Sequence, residues 1–346
     1  MPEIPVNEAK KSLPAKSGLR TLGGFSQAAK GKGQSSMAPI LVTGVSGYVG
    51  AALAARLQRD GHAVRGFARS PDRVAAAGVA LEDVVLGDVL TGAGLEAALA
   101  GVEVAYYLIH SMEGPSSGAF AAHERQGADR FAAAARAAGV RRIVYLGGMV
   151  PSEGTPVSRH LASRLAVEDT LLAAAPESVA LRASIVIGAR SRSFRFLVRL
   201  IERLPVLALP SWRGNRTQPI DGRDLLDFLA AAATAGPDVG GRSWDVAGPD
   251  VVSYEQMLER IADAMLVSRP RIGLSFALTP VAAQVAAAIA GEDSGLIEPL
   301  MESLEHDLLP RHDDAAAAFG VRLHRFDAAV ERALRDWEET EEVAAR

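Results

Sequence analysis

Three glycines at regular spacing follow the first strongly apolar run of the chain. Gly44, Gly47 and Gly50 come directly after the run 39–43, and apolar residues at helical spacing follow them. Glycines at this spacing let the backbone turn tightly and approach a phosphate, and the N-terminus of the following helix presents free N–H groups to the anion. The order strand, glycines, helix therefore predicts a cradle for the pyrophosphate of a dinucleotide. The residues assigned to this cradle are Gly44, Ser46, Gly47, Tyr48, Val49 and Gly50.

The residue after the second predicted strand indicates which dinucleotide is bound. A carboxylate is expected there, about 20 residues beyond the glycines, where it would bind the ribose 2′-hydroxyl. The chain instead has Arg69, and the first acidic residue after this strand is Asp72. Because a guanidinium can pair with a 2′-phosphate, the sequence favours NADP, with NAD as the alternative.

A histidine and an arginine one helical turn apart are the candidate groups for proton transfer. His160 and Arg164 are expected to share one face of a helix. An imidazole with its ordinary pKa of about 6.5 suits a proton donor, and Arg164 could position a ribose or an anionic intermediate. A solvated start of a helix is the alternative. His110, after the fourth predicted strand, is a second candidate donor. The alternative is that it only lines the wall of the site.

Side chains from the second half of the chain could contact a substrate. Trp212, Arg213 and Arg216 lie in one predicted loop. They supply an aromatic surface and two guanidinium groups, which could hold an anionic or planar substrate. The alternative is a surface loop that packs Trp212 for stability. Met149 and Arg182 complete the candidate substrate contacts.

The composition excludes several other kinds of site. The chain has no cysteine, so thiol nucleophiles, disulfides and cysteine-ligated metals are excluded. Its histidines show no pairing with one another or with carboxylates that resembles a metal site, and we predict none. With 37 Lys and Arg against 41 Asp and Glu, the chain lacks the basic field that nucleic-acid partners require.

Short β-rich runs alternate with helical stretches from Ile40 onwards. This alternation predicts an α/β fold with a doubly wound parallel sheet, the Rossmann arrangement, and a smaller C-terminal α+β lobe interleaved with the sheet. The domains are predicted as a disordered tail at 1–37, a dinucleotide-binding domain at 38–190 and the lobe at 191–340. The predicted strands are 39–43, 62–68, 79–86, 102–109, 141–147, 179–187 and 243–247, and the predicted helices include 119–138, 193–204, 223–235 and one opened by a capping box at Ser253 and Gln256.

Two segments bear on localisation. The tail at 1–37 holds all five lysines and lacks an apolar core of the kind a secretory signal needs, so a cytoplasmic protein is expected. A translation start at Met37 is an alternative to Met1. The run 272–291 is uncharged but too weakly apolar for a membrane span, and we interpret it as a packed helix.

Six short motifs are spread over residues 38–330. They are Thr43-Gly44-x-x-Gly47-Tyr48-x-Gly50, Gly87-Asp88-Val89, the run 105–112, the run 141–148, the run 181–188 and Gln218-Pro219-Ile220. Together they resemble the atypical short-chain dehydrogenases/reductases, and most closely the NmrA-like NAD(P)H-binding proteins with an extra C-terminal lobe. The resemblance implies that Asp88 and Val89 contact the adenine. It also implies that Leu108, Gly147 and Gly148 line the cofactor near the nicotinamide.

The chain departs from this family in its proton relay. The usual relay is a tyrosine, a lysine four residues later and a serine after the fifth strand. The chain has no lysine beyond Lys32, and the serine position reads Gly147-Gly148. The usual mechanism is therefore excluded.

Three functions stay open. The first is an NADP-dependent oxidoreductase that reduces a carbonyl or an activated C=C bond of an unidentified small molecule, with His160 or water as the proton source. The second is a redox sensor or regulator that holds NAD(P)H without turnover. The third is an accessory subunit in which the dinucleotide is structural.

Overall fold

The structure is a computed structural model, and it describes residues 38–110, 117–274 and 304–341. The predicted tail at 1–37 and residues 275–291 of the predicted helix 272–291 lie outside the described residues.

Thirteen strands lie in the described residues. Seven of them form a central parallel sheet in the order β11-β6-β5-β4-β1-β2-β3. The other six form three two-stranded sheets, in which β10 pairs with β7, β12 with β9 and β13 with β8. The bounds are β1 (Ile40–Thr43), β2 (Val64–Ala68), β3 (Asp83–Leu86), β4 (Val104–Tyr107), β5 (Arg142–Gly148), β6 (Val179–Ala183), β7 (Val186–Ile187), β8 (Leu207–Leu209), β9 (Arg216–Thr217), β10 (Ile220–Asp221), β11 (Arg242–Val246), β12 (Val252–Ser253) and β13 (Arg271–Gly273).

The strand order confirms the predicted doubly wound sheet. The order runs outward from β1 to β3 on one side and from β4 to β6 on the other, so β1 and β4 flank the point where the winding reverses. In sheets of this kind ligands bind at the carboxyl ends of the strands beside that point.

Ten α-helices lie in the described residues. They are α1 (Tyr48–Arg59), α2 (Pro71–Ala76), α3 (Leu95–Leu99), α4 (Ser117–Ala137), α5 (Arg159–Leu172), α6 (Arg192–Arg203), α7 (Gly222–Thr234), α8 (Tyr254–Ala264), α9 (Ala315–Phe319) and α10 (Phe326–Glu338). The predicted capping box is confirmed, because the Ser253 hydroxyl accepts from the Gln256 N–H and the Gln256 side chain accepts from the Ser253 N–H.

Alternating strand residues bury both faces of the sheet. On one face Val42 and Val144 pack in a core with apolar residues of α1, α7 and α9. On the other face their neighbours Leu41 and Tyr145 pack with residues of α3, α4 and α5. Both faces are therefore covered, as a parallel sheet requires. A third core joins α6, α8 and α10, around the fully buried Trp337.

The chain beyond residue 190 contributes to the sheet. β11 pairs with β6, and α7 packs on the face that also carries α1. The boundary between domain and lobe at residue 190 stays a prediction.

Two predicted elements differ in the structure. The predicted strand 179–187 is divided, because the chain leaves the main sheet after β6 and β7 pairs with β10 instead. The start of the predicted helix 272–291 is not helical, since β13 extends to Gly273. No helix among the described residues is long and apolar enough to cross a bilayer.

Candidate functional site

The glycine loop between β1 and α1 needs its glycines for backbone reasons. Gly44 has φ +66°, a left-handed conformation, and a Cβ there would lie 2.8 Å from the Leu108 carbonyl oxygen. A Cβ on Gly50 would collide with the Gly44 carbonyl oxygen. The loop therefore packs tightly against both the end of β4 and the first turn of α1.

The first turn of α1 leaves backbone donors available. Gly47 is the exposed N-cap residue, and it has no side chain that could cap the helix. The first helical bond runs from the Ala51 N–H to the Gly47 carbonyl over 2.9 Å. The N–H groups of Tyr48, Val49 and Gly50 thus have no acceptor within the helix, and α1 has no acidic residue in its first turn. This geometry suits a pyrophosphate.

Tyr48 ties the glycine loop to the second half of the chain. Its hydroxyl lies against the backbone of Gly188 and Gly222. A Cβ added at Gly188 would collide with this hydroxyl, and a Cβ added at Gly222 would lie 2.8 Å from it. Burial, and then the charge of Asp221, raise the pKa of Tyr48. The phenol is therefore neutral and anchors the loop, and Tyr48 would contact an anion through its backbone N–H.

Arg69 lies at the same sheet edge as the glycine loop. It follows β2, in which Phe67 pairs with Thr43 of β1. The residue is exposed, and its guanidinium has no hydrogen-bond or ion-pair partner in the part of the chain that the structure describes. Arg65 is different, because it binds Asp83 over 2.7 Å and the Ala100 carbonyl over 2.8 Å. Arg69 is therefore available for a ligand.

The residues expected to contact the adenine follow β3. The Asp88 carboxylate accepts from the Leu90 N–H over 2.8 Å, which closes a tight turn. Val89 is buried in the core that α4 covers. Asp88 is only partly buried, so it lies at the border between this core and the surface.

The residues expected near the nicotinamide lie at the ends of β4 and β5. The Leu108 N–H donates to the Thr43 hydroxyl over 3.2 Å, and that hydroxyl donates to the Tyr106 carbonyl over 2.9 Å. Gly147 and Gly148 are the last residues of β5, and a Cβ on Gly148 would contact Leu161 of α5 at 3.5 Å. The carboxyl ends of β1, β4 and β5 thus bring the predicted cofactor residues to one edge.

The two candidate proton-transfer groups meet in space. Ser158 caps α5 by accepting from the Leu161 N–H over 3.3 Å, which places His160 and Arg164 on its first two turns. The Arg164 guanidinium contacts Nδ1 of His110, although the two residues are 54 positions apart. His110, His160 and Arg164 therefore form one cluster, which we call the His–Arg cluster.

The His–Arg cluster holds its imidazoles neutral. Burial, and then the charge of Arg164, lower the pKa of His160 to about 4. Burial, Arg164 and His160 lower the pKa of His110 well below its ordinary value. The His110 residue is exposed, so the contact of its Nδ1 with the Arg164 guanidinium is the firmer reason for a lowered pKa than burial is. Both rings are neutral at pH 7 in the ligand-free chain, so His160 can donate a proton there only if a bound anion raises its pKa.

The lowered pKa of His160 predicts how the stability of the protein depends on pH. Unfolded His160 binds a proton near its ordinary pKa of about 6.5, whereas folded His160 binds one only near pH 4. The unfolded state binds more protons between these values, so the free energy of unfolding should fall on acidification, by at most about 3 kcal/mol from this group. Urea unfolding of the wild type and His160→Gln at pH 7, 5.5 and 4.5 measures it. We expect the wild type to lose more stability, and equal losses would contradict the lowered pKa.

Glu124 of α4 is not among the predicted site residues, yet it contacts the cluster. Its Oε1 lies 3.6 Å from Nε of Arg164, and its Oε2 accepts from the Ser163 hydroxyl over 2.9 Å. The side chain is only 4% exposed. A signal was present in the sequence, because Glu124 falls on the apolar stripe of α4 with Ala128, Phe131 and Ala135.

The predicted substrate arginines are engaged within the protein. Arg182 binds Glu168, with 2.5 Å between Nη2 and Oε1. Arg213 binds Glu255 over 2.6 Å, and Arg216 binds Asp307 through both Nε and Nη2, over 2.9 and 2.7 Å.

The other two predicted substrate contacts pack internally. Trp212 packs edge-on against Tyr254, with ring centroids 5.8 Å apart. Met149 is buried with Ala247 and Leu308. A substrate held by Arg213 or Arg216 would compete with these partly exposed ion pairs, and the role of this loop stays a prediction. Among the described residues no three His, Asp or Glu side chains converge as metal ligands.

Comparison with known proteins gives a matching domain family. Residues 44–184 match a family of NAD(P)H-binding domains. A (4-alkanoyl-5-oxo-2,5-dihydrofuran-3-yl)methyl phosphate reductase of Streptomyces griseus is 28% identical over 303 residues, which cover 86% of this chain and 96% of that protein. The mitochondrial NADH dehydrogenase [ubiquinone] 1 alpha subcomplex subunit 9 of Arabidopsis thaliana is 27% identical over 281 residues, 78% of this chain and 69% of that protein.

Solved structures share the fold. A short-chain dehydrogenase/reductase superfamily protein from Agrobacterium tumefaciens with bound NAD superimposes with a TM-score of 0.63 at 21% identity, over 87% of this chain and 96% of that one. The predicted Rossmann fold is confirmed. The match to NAD(P)H-binding domains supports a nicotinamide dinucleotide as the kind of cofactor.

Proposed function

We propose that this chain, an NAD(P)-binding protein similar to the atypical short-chain dehydrogenases/reductases, is an NADP-dependent oxidoreductase that reduces a carbonyl or an activated C=C bond. One observation carries the proposal. The buried guanidinium of Arg164, flanked by His110 and His160, lies at the same sheet edge as the glycine cradle. A cation held there can stabilise the negative charge that develops on an acceptor oxygen.

The residues present fit the cofactor. Gly44 and Gly50 leave the space that a backbone approach to a pyrophosphate needs, and the N–H groups at the start of α1 face it. Arg69 would pair with the 2′-phosphate. NADPH, when bound, supplies the hydride.

The protein side of the reaction rests on charge and positioning. Arg164 would hold the oxygen of the acceptor as an alkoxide or enolate while the hydride arrives at carbon. The proton then comes from water, or from His160 once an anionic substrate has raised its pKa. The tyrosine–lysine pair of the usual relay has no counterpart in this chain.

A relative supports the kind of acceptor. The Streptomyces griseus reductase is named for a phosphate ester whose ring C=C bond is conjugated with carbonyl groups. A substrate of that kind would bring both an activated C=C bond and an anionic group to the His–Arg cluster. We therefore favour conjugate reduction over simple carbonyl reduction.

A substrate panel tests the proposal. Purified protein with NADPH is offered enones, unsaturated lactones with and without a phosphate group, aldehydes and quinones, and loss of NADPH absorbance is followed. We expect turnover of conjugated carbonyl compounds, fastest for those that carry a phosphate. Tight NADPH binding without turnover of any of these would reject the reductase.

The second candidate is a protein that binds the dinucleotide without turnover, as a redox sensor or an accessory subunit. The lack of the Tyr–Lys relay and the two neutral imidazoles favour it. The Arabidopsis thaliana relative is named as a subunit of an NADH dehydrogenase. Under this function NADPH would bind and stay unoxidised. A cytoplasmic location is proposed for either function.

The cofactor preference gives a separate prediction. Arg69→Ala should weaken NADPH binding by about tenfold to a hundredfold, because one contact between a guanidinium and a phosphate contributes about 1.5–3 kcal/mol. NADH, which lacks the 2′-phosphate, serves as the control ligand and should bind both proteins equally. Titration calorimetry measures all four affinities. Equal NADPH affinities for wild type and variant would assign the 2′-phosphate to another residue or show that NAD is the cofactor.

A further inference from the structure

We propose that Glu124 is a positioning residue of the site, whose buried carboxylate holds the Arg164 guanidinium against His110. The proposal deepens the proposed reductase function and rests on it. Glu124 would touch neither cofactor nor substrate, and would act through Arg164.

The contacts show how one carboxylate fixes the guanidinium. Oε1 of Glu124 lies 3.6 Å from Nε of Arg164, while Nη1 of the same guanidinium contacts His110. The Glu124 contact is an ion pair and not a hydrogen bond, so the carboxylate attracts Nε by charge while Nη1 contacts His110. Together the two contacts limit how far the planar guanidinium can rotate. The second oxygen accepts from the Ser163 hydroxyl over 2.9 Å, so Glu124 contacts two successive residues of α5, Ser163 and Arg164.

The charges around Arg164 make Glu124 its counterion. Tyr107 at the end of β4 and Tyr145 in the middle of β5 also face this region, and the Tyr145 hydroxyl lies 3.5 Å from the Arg164 carbonyl oxygen. Burial raises the pKa of both phenols, so both are neutral. The imidazoles of His110 and His160 are neutral as well. Glu168, the first acidic residue of α5, is paired with Arg182. Among the described residues, Glu124 is therefore the anion that balances the buried guanidinium.

The Glu124 carboxylate is buried, so it does not serve to keep the surface polar. Glu124 takes a position on the apolar stripe of α4, where a carboxylate is costly unless a partner compensates it. A purely structural ion pair is the competing explanation. The two explanations differ in what happens to His110 when the carboxylate charge is removed.

The experiment follows the histidines directly. Glu124→Gln keeps the shape of the side chain and removes its charge. If Glu124 positions the guanidinium, Arg164 moves away from His110, and the pKa of His110, read from histidine NMR signals, should rise by about one unit. If Arg164 stays in place, its uncompensated charge should leave that pKa unchanged or lower it further, which would overturn the proposal.

Kinetics supplies the second readout. With a substrate found in the panel, Glu124→Gln should lower kcat by about tenfold to a hundredfold and leave the NADPH dissociation constant unchanged, because only the placement of Arg164 alters. Glu124→Asp keeps the charge and should retain most of kcat and the wild-type pKa of His110. If Glu124→Gln fails to fold, Glu124→Asp tests the proposal by itself. A pKa of His110 that rises by about one unit in this still-charged variant would overturn the proposal.

Glu177→Gln is the matched control. Glu177 binds the buried Arg142 over 2.7 Å at the beginning of β5, which is the opposite edge of the sheet. It also removes a carboxylate from a buried arginine, but it should leave the pKa of His110 and kcat as in the wild type. Should the wild type turn over no substrate, the reductase function fails while the NMR result still decides the role of Glu124.

Discussion

Replacing Gly50 by alanine is expected to weaken NADPH binding by more than about a hundredfold. The added Cβ would collide with the Gly44 carbonyl oxygen and lie 3.1 Å from the Cα of Val45. Both obstacles are backbone atoms, so the loop itself must shift rather than a flexible side chain. Such a shift would misplace the N–H groups at the start of α1. Two lost contacts to the pyrophosphate, at about 1.5–3 kcal/mol each, would account for the effect.

A matched alanine substitution separates this local effect from a general one. Gly214 ends a short 3-10 helix, Ser211–Gly214, after β8, outside the left-handed region, and a Cβ there meets no atom within 4 Å. Gly214→Ala should therefore bind NADPH like the wild type. Titration calorimetry measures binding and circular dichroism checks the fold. Wild-type affinity in a folded Gly50→Ala protein would show that the pyrophosphate does not depend on this loop.

The features that could be predicted from the sequence are those that depend on neighbouring residues. The cradle at Gly44, Gly47 and Gly50 is encoded within seven positions of the chain. The capping box at Ser253 and Gln256 spans four. In both, the local backbone geometry follows directly from residue type and spacing, which is why the helix cap and the class of cofactor could be anticipated.

The features that could not be predicted depend on partners far away in the chain. Arg213 and Arg216 were predicted as possible substrate contacts, and their ion pairs could not be foreseen because the carboxylate partners lie 42 and 91 positions away. The chain leaves the main sheet after β6 where Ser184 bonds Thr217, 33 positions on. The low pKa of His160 likewise depends on burial, which spacing alone does not give.

Arg164→Met is expected to lower kcat by about a hundredfold to a thousandfold, the usual cost of removing one group that stabilises an oxyanion. Without this cation the acceptor oxygen would develop its charge beside two neutral imidazoles. The pKa of His160 and that of His110 should both rise, because the charge of Arg164, which lowers both, is removed. NMR titration of the histidines and kinetics with a substrate from the panel measure the two effects. Arg164→Lys should fall between, since an ammonium keeps the charge but not the planar contact with both Glu124 and His110.

Loss of stability could imitate loss of catalysis, and a double variant separates the two. Arg164→Met leaves the Glu124 carboxylate buried without its partner, which should cost about 3 kcal/mol of the free energy of unfolding. Adding Glu124→Gln removes that unpaired charge, so the double variant should recover most of the stability. Its kcat should stay as low as that of Arg164→Met, because the cation is still missing. If kcat instead recovers together with the stability, Arg164 supports the fold and takes no part in stabilising the acceptor.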